Sequence, residues 1–256
     1  MYKVQVLGCS GGIGGQRHTT SFLVSGNVLV DAGSGVLSLN LDQMSSIDHI
    51  FITHSHLDHI LSLPLLIDSV GSLRSKPLIV YALPEVVHIL KEHVFNNKIW
   101  PDFTCIPNQS SPYVVLKEVE IESSINIGEL VFTSVPANHV VPACGWEVAF
   151  KNTRWMFAGD TAGHPSFWKR VSHYSSRDNV VVEVSFTNED AHIAEISGHY
   201  CPSSLANDVN HCNSRPNIWI THLKPGDEEL IMNQLGQCLT MPFEALHAHQ
   251  EFILQA

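Results

Sequence analysis

The stretch Thr53-His54-Ser55-His56-Leu57-Asp58-His59 constrains this chain more than any other. Three imidazoles and a carboxylate fall within six positions, directly after the apolar run of residues 47–52. That run reads as a buried strand, Asp48 and His49 notwithstanding, so the cluster sits where a strand exits into a loop. Alternate residues of an extended turn can converge on one point, and the adjacent Asp58-His59 pair can face a second. Imidazole nitrogen and carboxylate oxygen are the ligands that borderline divalent metals such as zinc prefer. The competing reading is a polar loop that holds its histidines by accident. Three histidines and an aspartate at this spacing argue against that reading and for a metal site.

At 256 residues, 44% hydrophobic and 15% charged, the chain has the composition of an ordinary globular protein, long enough for one large domain or two small ones. No apolar stretch reaches the ~18 residues of a spanning helix, so no membrane contact is expected. The sequence opens on the strand-like Tyr2-Lys3-Val4-Gln5-Val6-Leu7 rather than on a leader pattern. Six cysteines (Cys9, Cys105, Cys144, Cys201, Cys212 and Cys238) lack paired spacing, which fits free, buried thiols and a cytoplasmic location. A net charge of −11 opposes a polyanionic partner such as tRNA, because nucleic-acid affinity is largely phosphate neutralisation by Lys and Arg. Bound divalent cations would offset that charge locally, which suits a small anionic substrate. The choice between monomer and homodimer is open at this level.

Along the chain, the first strand ends in Gly8-Cys9-Ser10-Gly11-Gly12, a glycine loop that lacks the third glycine of a dinucleotide fingerprint. Residues 21–24 and 28–30 read as a hairpin turned at Gly26-Asn27, and its second arm ends at Asp31. Residues 61–70 predict a buried helix, residues 78–81 a strand, and Pro84 opens a helix to about Val94. Pro101, Pro107 and Pro112 make residues 96–112 a long irregular connection and a candidate substrate lid. There Trp100, Phe103 and Tyr113 either wall a nucleobase or fill a small satellite core. The second half repeats the rhythm, with strands expected at 130–135, 145–150, 154–158, 179–184, 217–220 and 251–254 and helices at 203–211 and from Asp227 to about Leu235. His139, Asp160 and His222 each follow one of these strands, where open α/β sheets place ligand sites. Singly, each is an ordinary turn residue; the argument for them is joint.

These features resemble the metallo-β-lactamase superfamily. The resemblance is carried by Thr53 to His59, by Asp31-Ala32-Gly33-Ser34-Gly35, and by Ala137-Asn138-His139, Ala158-Gly159-Asp160-Thr161 and Ile220-Thr221-His222. It implies a single domain over residues 1–256 with an α/β fold, the metallo-β-lactamase-like αββα sandwich of two packed mixed sheets flanked by helices. It also implies two divalent metal ions. His54, His56 and His139 would hold the first, Asp58, His59 and His222 the second, and Asp160 would bridge both. Asp31 would orient the loop from behind. Zn2+ is the expected metal, because the di-iron branch tends to carry Glu where this chain has His56; iron and manganese are the alternatives. Two ions ~3.5–4 Å apart activate a bridging hydroxide and clamp the attacked and leaving oxygens.

The family acts on β-lactams, thioesters, lactones, sulfate esters and phosphodiesters, and three details favour the last. Leu7-Gly8-Cys9-Ser10-Gly11-Gly12 resembles the start of the phosphodiesterase branches. Leu57 stands between ligands as in class II 3′,5′-cyclic-nucleotide phosphodiesterases, although Ser62 departs from their glycine. Ile220-Thr221-His222-Leu223-Lys224-Pro225 resembles the class II ending. The expected activity is hydrolysis of 3′,5′-cyclic nucleotides, cAMP foremost, to 5′-monophosphates. Glu183-Val184-Ser185-Phe186 and Gly198-His199-Tyr200-Cys201 instead resemble the Glu-Ala-Thr-Phe and Gly-His-Ser-Thr segments of tRNA 3′-processing endonucleases. There a carboxylate orients a histidine that serves the scissile phosphate, which adds Glu183 and His199 to Asp58 as catalytic candidates. Arg17 and Lys224 are candidate phosphate partners. An endonuclease is the first alternative, but Phe186 and Gly198 lie too close together for its long basic arm. A non-catalytic metal-binding sensor is the second; such relatives often lose a ligand, and here none is missing.

Overall fold

Short apolar runs punctuated by glycine, proline and turn residues become strands that the computed structural model, describing residues 1–210, 212 and 214–256, gathers into two seven-stranded sheets. The first half supplies β1 (Tyr2–Gly8), β2 (Ser21–Val24), β3 (Val28–Val30), β4 (His49–Phe51), β5 (Leu78–Ala82), the small hairpin β6 (Pro107–Asn108) and β7 (Ser111–Pro112), and β8 (Val114–Glu118). The second supplies β9 (Ser124–Ile127), β10 (Leu130–Pro136), β11 (Cys144–Phe150), β12 (Thr153–Phe157), β13 (Asn179–Glu183), β14 (Asn217–Thr221), β15 (Phe243–Ala245) and β16 (Glu251–Leu254). One sheet runs β16-β1-β2-β3-β4-β5-β8 and the other β15-β14-β13-β12-β11-β10-β9. Both are mixed: pairing is parallel from β3 through β8 and from β12 through β15, and antiparallel elsewhere. The flanking helices are α1 (Leu41–Ser45), α2 (Leu57–Ile60), α3 (Ser62–Val70), α4 (Pro84–Ile89), α5 (Pro165–Val171), α6 (Ala191–Ser197), α7 (Pro202–Val209) and α8 (Glu228–Cys238). The expected αββα sandwich is therefore the observed architecture.

The side-chain alternation of β13 shows how the layers are built. Val181 faces the core between the sheets, whereas Val180 and Val182 face the core beneath α5, α7 and α8. Aromatic rings span the inner layer: Phe51 stacks on Phe132 at 4.3 Å and Phe22 meets Trp155 edge-on at 4.9 Å. All four are fully buried. Truncating any one to alanine would cost about 3–5 kcal/mol through lost transfer energy and an unfilled cavity.

The boundaries differ from expectation in instructive places. The hairpin turn has its positive φ at Ser25 (52°) and Gly26 (80°), one residue earlier than Gly26-Asn27. The helix expected from residue 61 starts at Leu57, directly on the histidine loop, and breaks between Ile60 and Ser62. The helix from Pro84 widens to a π turn over Leu90–Val94. Of the helix expected over 203–211, α7 covers the part to Val209, and His211 lies outside the described residues. In the connection 96–112, Phe103 is buried in the inter-sheet core and Trp100 packs against it, as does the adjoining Tyr113. These aromatics thus extend the main core, neither a separate satellite nor a wall for a nucleobase. Among the described residues no helix is long and apolar enough to cross a membrane.

Candidate metal centre

Because β3 to β5 and β12 to β14 run parallel, their C-terminal ends emerge along one edge of the sandwich, and the candidate site residues follow those ends. His54 and His56 lie on the segment between β4 and α2, His56 in extended backbone, while Asp58 and His59 sit on the first turn of α2. His139 follows β10, Asp160 follows β12, Glu183 closes β13 and His222 follows β14. The seven expected ligands meet in two groups. The nitrogens of His54, His56 and His139 lie within 4.8 Å of one another, as do ligand atoms of Asp58, His59, Asp160 and His222. Asp160 Oδ2 joins the groups, 3.8 Å from His54 Nε2 and 3.3 Å from both His59 Nε2 and His222 Nε2.

The donor set fits cations. His54 Nε2, His59 Nε2 and Asp160 Oδ1 are buried without a hydrogen-bond partner; His59 Nε2 approaches Asp160 but lacks hydrogen-bond alignment. His139 Nδ1 donates to Gly198 O at 2.9 Å, so its bare Nε2 faces His56 Nδ1 at 3.2 Å. Buried polar atoms are almost always paired, and bare nitrogens and carboxylate oxygens converging on one point are what a divalent ion satisfies. The protonation pattern agrees. Burial, with neighbouring imidazoles, holds His54 well below the ordinary histidine range, and burial lowers His56 and His139. Burial also opposes charge on His59, but Asp160 and Asp31 outweigh it and hold His59 well above that range. Burial would raise Asp160 and Asp58; His222 and His59 outweigh it, and both carboxyls sit below the usual range. In the two clusters the proton that offsets the carboxylates is thus favoured on His59, and a bound cation would displace it.

Local backbone shape serves this convergence. Asp31 and His222 adopt left-handed conformations, with φ of 57° and 61°. Non-glycine residues there carry strain of about 1–3 kcal/mol that surrounding bonds must hold. Asp31 accepts from Thr53 N and Oγ1 at 2.8 Å each and from His59 Nδ1 at 2.6 Å. His222 N donates to Cys9 O at 2.9 Å. The glycine loop must come close for this: a Cβ on Gly11 would lie 2.3 Å from His222 O.

Beside the clusters, His199 Nδ1 donates to Glu183 Oε1 at 2.8 Å and lies 4.0 Å from Asp160 Oδ2. Glu183 is fully buried and also accepts from Thr161 N and Tyr200 N at 3.2 Å and from Ser185 Oγ at 3.0 Å. Burial works against a charged His199, but Glu183 overrides it and raises its pKa. His199 also belongs to two further metal-capable groupings, with His139 and Asp160 and with Glu183 and His222. Lys224 Nζ is anchored on Gly11 O at 3.0 Å and lies 5.9 Å over the Phe186 ring, which packs against His199. Arg17 is placed differently: it pairs with Glu228 at 2.6 Å and lines a cavity of about 410 Å³ whose walls contain none of the clustered residues. Sequence reasoning assigned no part to Thr53, Ser185 or Phe186, although all three stand inside the quoted motifs.

An αββα sandwich with metal-capable histidine and aspartate clusters at its strand ends defines a hydrolase of metallo-β-lactamase fold. Residues 26–238 match the family model of the beta-lactamase superfamily domain, and the chain belongs to that family. A "Probable 3′,5′-cyclic-nucleotide phosphodiesterase" of Yersinia pestis is 23% identical over 235 residues, covering 80% of this chain and 67% of that protein. A "Ribonuclease Z" of Clostridium novyi is 31% identical over 163 residues, 59% of this chain; the match spans about half (51%) of that relative's length. Among solved structures, unliganded yeast PDE1 superposes with a TM-score of 0.82 at 18% identity, covering 99% of both chains, a likeness of fold.

Proposed function

We propose that the protein is a metal-dependent phosphodiesterase that opens 3′,5′-cyclic nucleotides, cAMP foremost, to 5′-monophosphates. His54, His56 and His139 would hold one divalent ion, Asp58, His59 and His222 a second, and Asp160 both, with zinc the metal best suited to this donor set. The chemistry such ions supply is Lewis-acid polarisation of the phosphoryl oxygens.

The observation that carries the phosphodiesterase reading, for either substrate, is the Glu183–His199 pair at the wall of the pit, 4.0 Å from Asp160; the charge and the missing arm decide for the small substrate. Opening a cyclic nucleotide expels a ribose 3′-alkoxide, a poor leaving group that gains from a proton as its bond breaks. Glu183 fixes the His199 ring through Nδ1 and raises its pKa, so that Nε2 can hand a proton to the departing oxygen. Lys224, held over the Phe186 ring, sets a cation beside the same wall for a phosphate oxygen. Arg17, already neutralised by Glu228, is the weaker phosphate partner.

The net charge of −11 favours a small anion over RNA, and the short helix α6 occupies the interval in which an endonuclease would carry its arm. The Yersinia relative's name points the same way. RNA 3′-end processing is the second reading, favoured by the Glu-Val-Ser-Phe and Gly-His segments and by the ribonuclease Z relatives. Competition between cAMP and a precursor tRNA in one assay with zinc-loaded protein separates them. The first reading expects cAMP turnover little changed by salt. Cleavage of the RNA alone, falling steeply with salt, would replace it with the second.

A further inference from the structure

Two histidines of the centre are held through hydroxyls. Thr53 Oγ1 lies 2.8 Å from Asp31 Oδ2 and 3.0 Å from His54 Nδ1. Ser185 Oγ lies 3.0 Å from Glu183 Oε2 and 2.8 Å from His222 Nδ1. Both hydroxyls are fully buried. Asp31 and Glu183 each accept from backbone N–H and from a ring Nδ1, and a hydroxyl has one proton, so each hydroxyl donates to its carboxylate. What remains on the oxygen is lone pairs, which accept Nδ1–H from the histidine. The pattern occurs twice: Asp31 takes His59 directly at 2.6 Å and His54 through Thr53, and Glu183 takes His199 directly at 2.8 Å and His222 through Ser185. The far nitrogens point into the centre: His54 Nε2 lies 3.8 Å from Asp160 Oδ2, and His222 Nε2 lies 3.3 Å from Asp160 Oδ2 and 3.1 Å from Asp58 Oδ2, a contact that a bound cation would replace.

We propose that Thr53 and Ser185 are positioning residues, each relaying a buried carboxylate to a second histidine so that His54 and His222 present bare Nε2 nitrogens to the metal centre. Two carboxylates thereby set the tautomers of four rings. Ser185 also lies 3.2 Å from His199 Nδ1, which ties the expected proton donor to the same oxygen as His222. The inference rests on the reading of the clusters as a metal centre and is independent of the substrate.

The test measures Zn2+ affinity by chelator competition, alongside ring 15N–1H spectra of the zinc-loaded protein. Thr53→Val keeps the side-chain shape and removes the hydroxyl, and Ser185→Ala removes the other. Each is expected to weaken zinc binding about 10–100-fold, the usual consequence of losing a group that orients a ligand. Each should also abolish the exchange-protected Nδ1–H signal of its own histidine, His54 or His222. Thr53→Ser and Ser185→Thr keep the hydroxyl and should stay within about threefold of the parent, a rescue that a space-filling role would not give. Should Ser185→Thr overpack and fail to fold, the Thr53 pair, which adds no volume, decides. Parent-like affinity and unchanged signals in the folded Thr53→Val and Ser185→Ala proteins would overturn the relay. A parent protein that takes up no zinc would overturn the metal-centre reading, and the relay with it. Inertness toward cyclic nucleotides would leave both standing.

Discussion

Replacing His199 with alanine tests the division of labour in the site. The ring is 10% exposed and its Nδ1 is held 2.8 Å from Glu183 Oε1. Glu183 keeps three further donors, from Thr161, Tyr200 and Ser185, once the ring is gone. The fold should therefore lose no more than about 1–3 kcal/mol, the value of one hydrogen bond to a buried charge. Turnover should respond far more strongly. Loss of a positioned acid lowers the rate roughly 10²–10⁴-fold, or about 2.7–5.5 kcal/mol of barrier. That loss applies to cAMP, whose 3′-oxygen needs a proton. It should be less than about tenfold for bis(p-nitrophenyl) phosphate, because p-nitrophenolate departs unprotonated. Steady-state kinetics on both substrates, with metal analysis of the same sample, give the answer. Equal losses on the two substrates would refute the acid role and make His199 a phosphate-binding group. A fall in metal content would make it a ligand, as its groupings with His139 and Asp160 or with Glu183 and His222 allow.

Asp160, within reach of both clusters, is the residue whose loss should do most: Asp160→Ala should abolish turnover and weaken both metal sites together, read by metal content after dialysis. Gly11→Ala should lower activity and metal affinity, because its methyl would overlap the His222 carbonyl; a fully active variant would show the loop to be free to move. Asp178, far from the site, is buried and accepts from Arg154 and Ser175. Burial pushes its pKa up, and these bonds more than reverse that to leave it lowered. Its stabilisation is thus complete above pH about 4, the unfolded value, and is lost as pH falls through the depressed folded value. Asp178→Asn should cost about 3 kcal/mol at neutral pH, with the gap in Tm to the parent closing in acid.

What the sequence made legible was local. The histidine loop, the three later candidate ligands and the strand ends that carry them are read from short motifs and apolar runs, and the structure brings all seven residues together. β15, by contrast, is three residues of mixed character, Phe243-Glu244-Ala245, and exists because β14 offers a parallel edge. β9 is a half-exposed edge strand, and α6 has no continuous apolar stripe, with Ile196 turned to solvent. Long-range pairing decides such elements, and short windows do not register it. One signal was there to be read: Asn40 and Gln43 form the capping box that starts α1. The parts of Thr53 and Ser185 were not, because a hydroxyl's role depends on which two groups the fold sets on either side of it. Likewise, Arg17 sits in a motif-rich loop, but its charge is spent on Glu228, 211 residues away.

The most direct measurement of the central claim is the product formed when zinc-loaded protein is given cAMP. The account expects turnover that vanishes on chelation, returns with Zn2+, and yields 5′-AMP alone, because the group expelled beside His199 is the ribose 3′-oxygen. A metal-replete protein that leaves cAMP and cGMP intact while hydrolysing another ester class, or one that releases 3′-AMP, would contradict it.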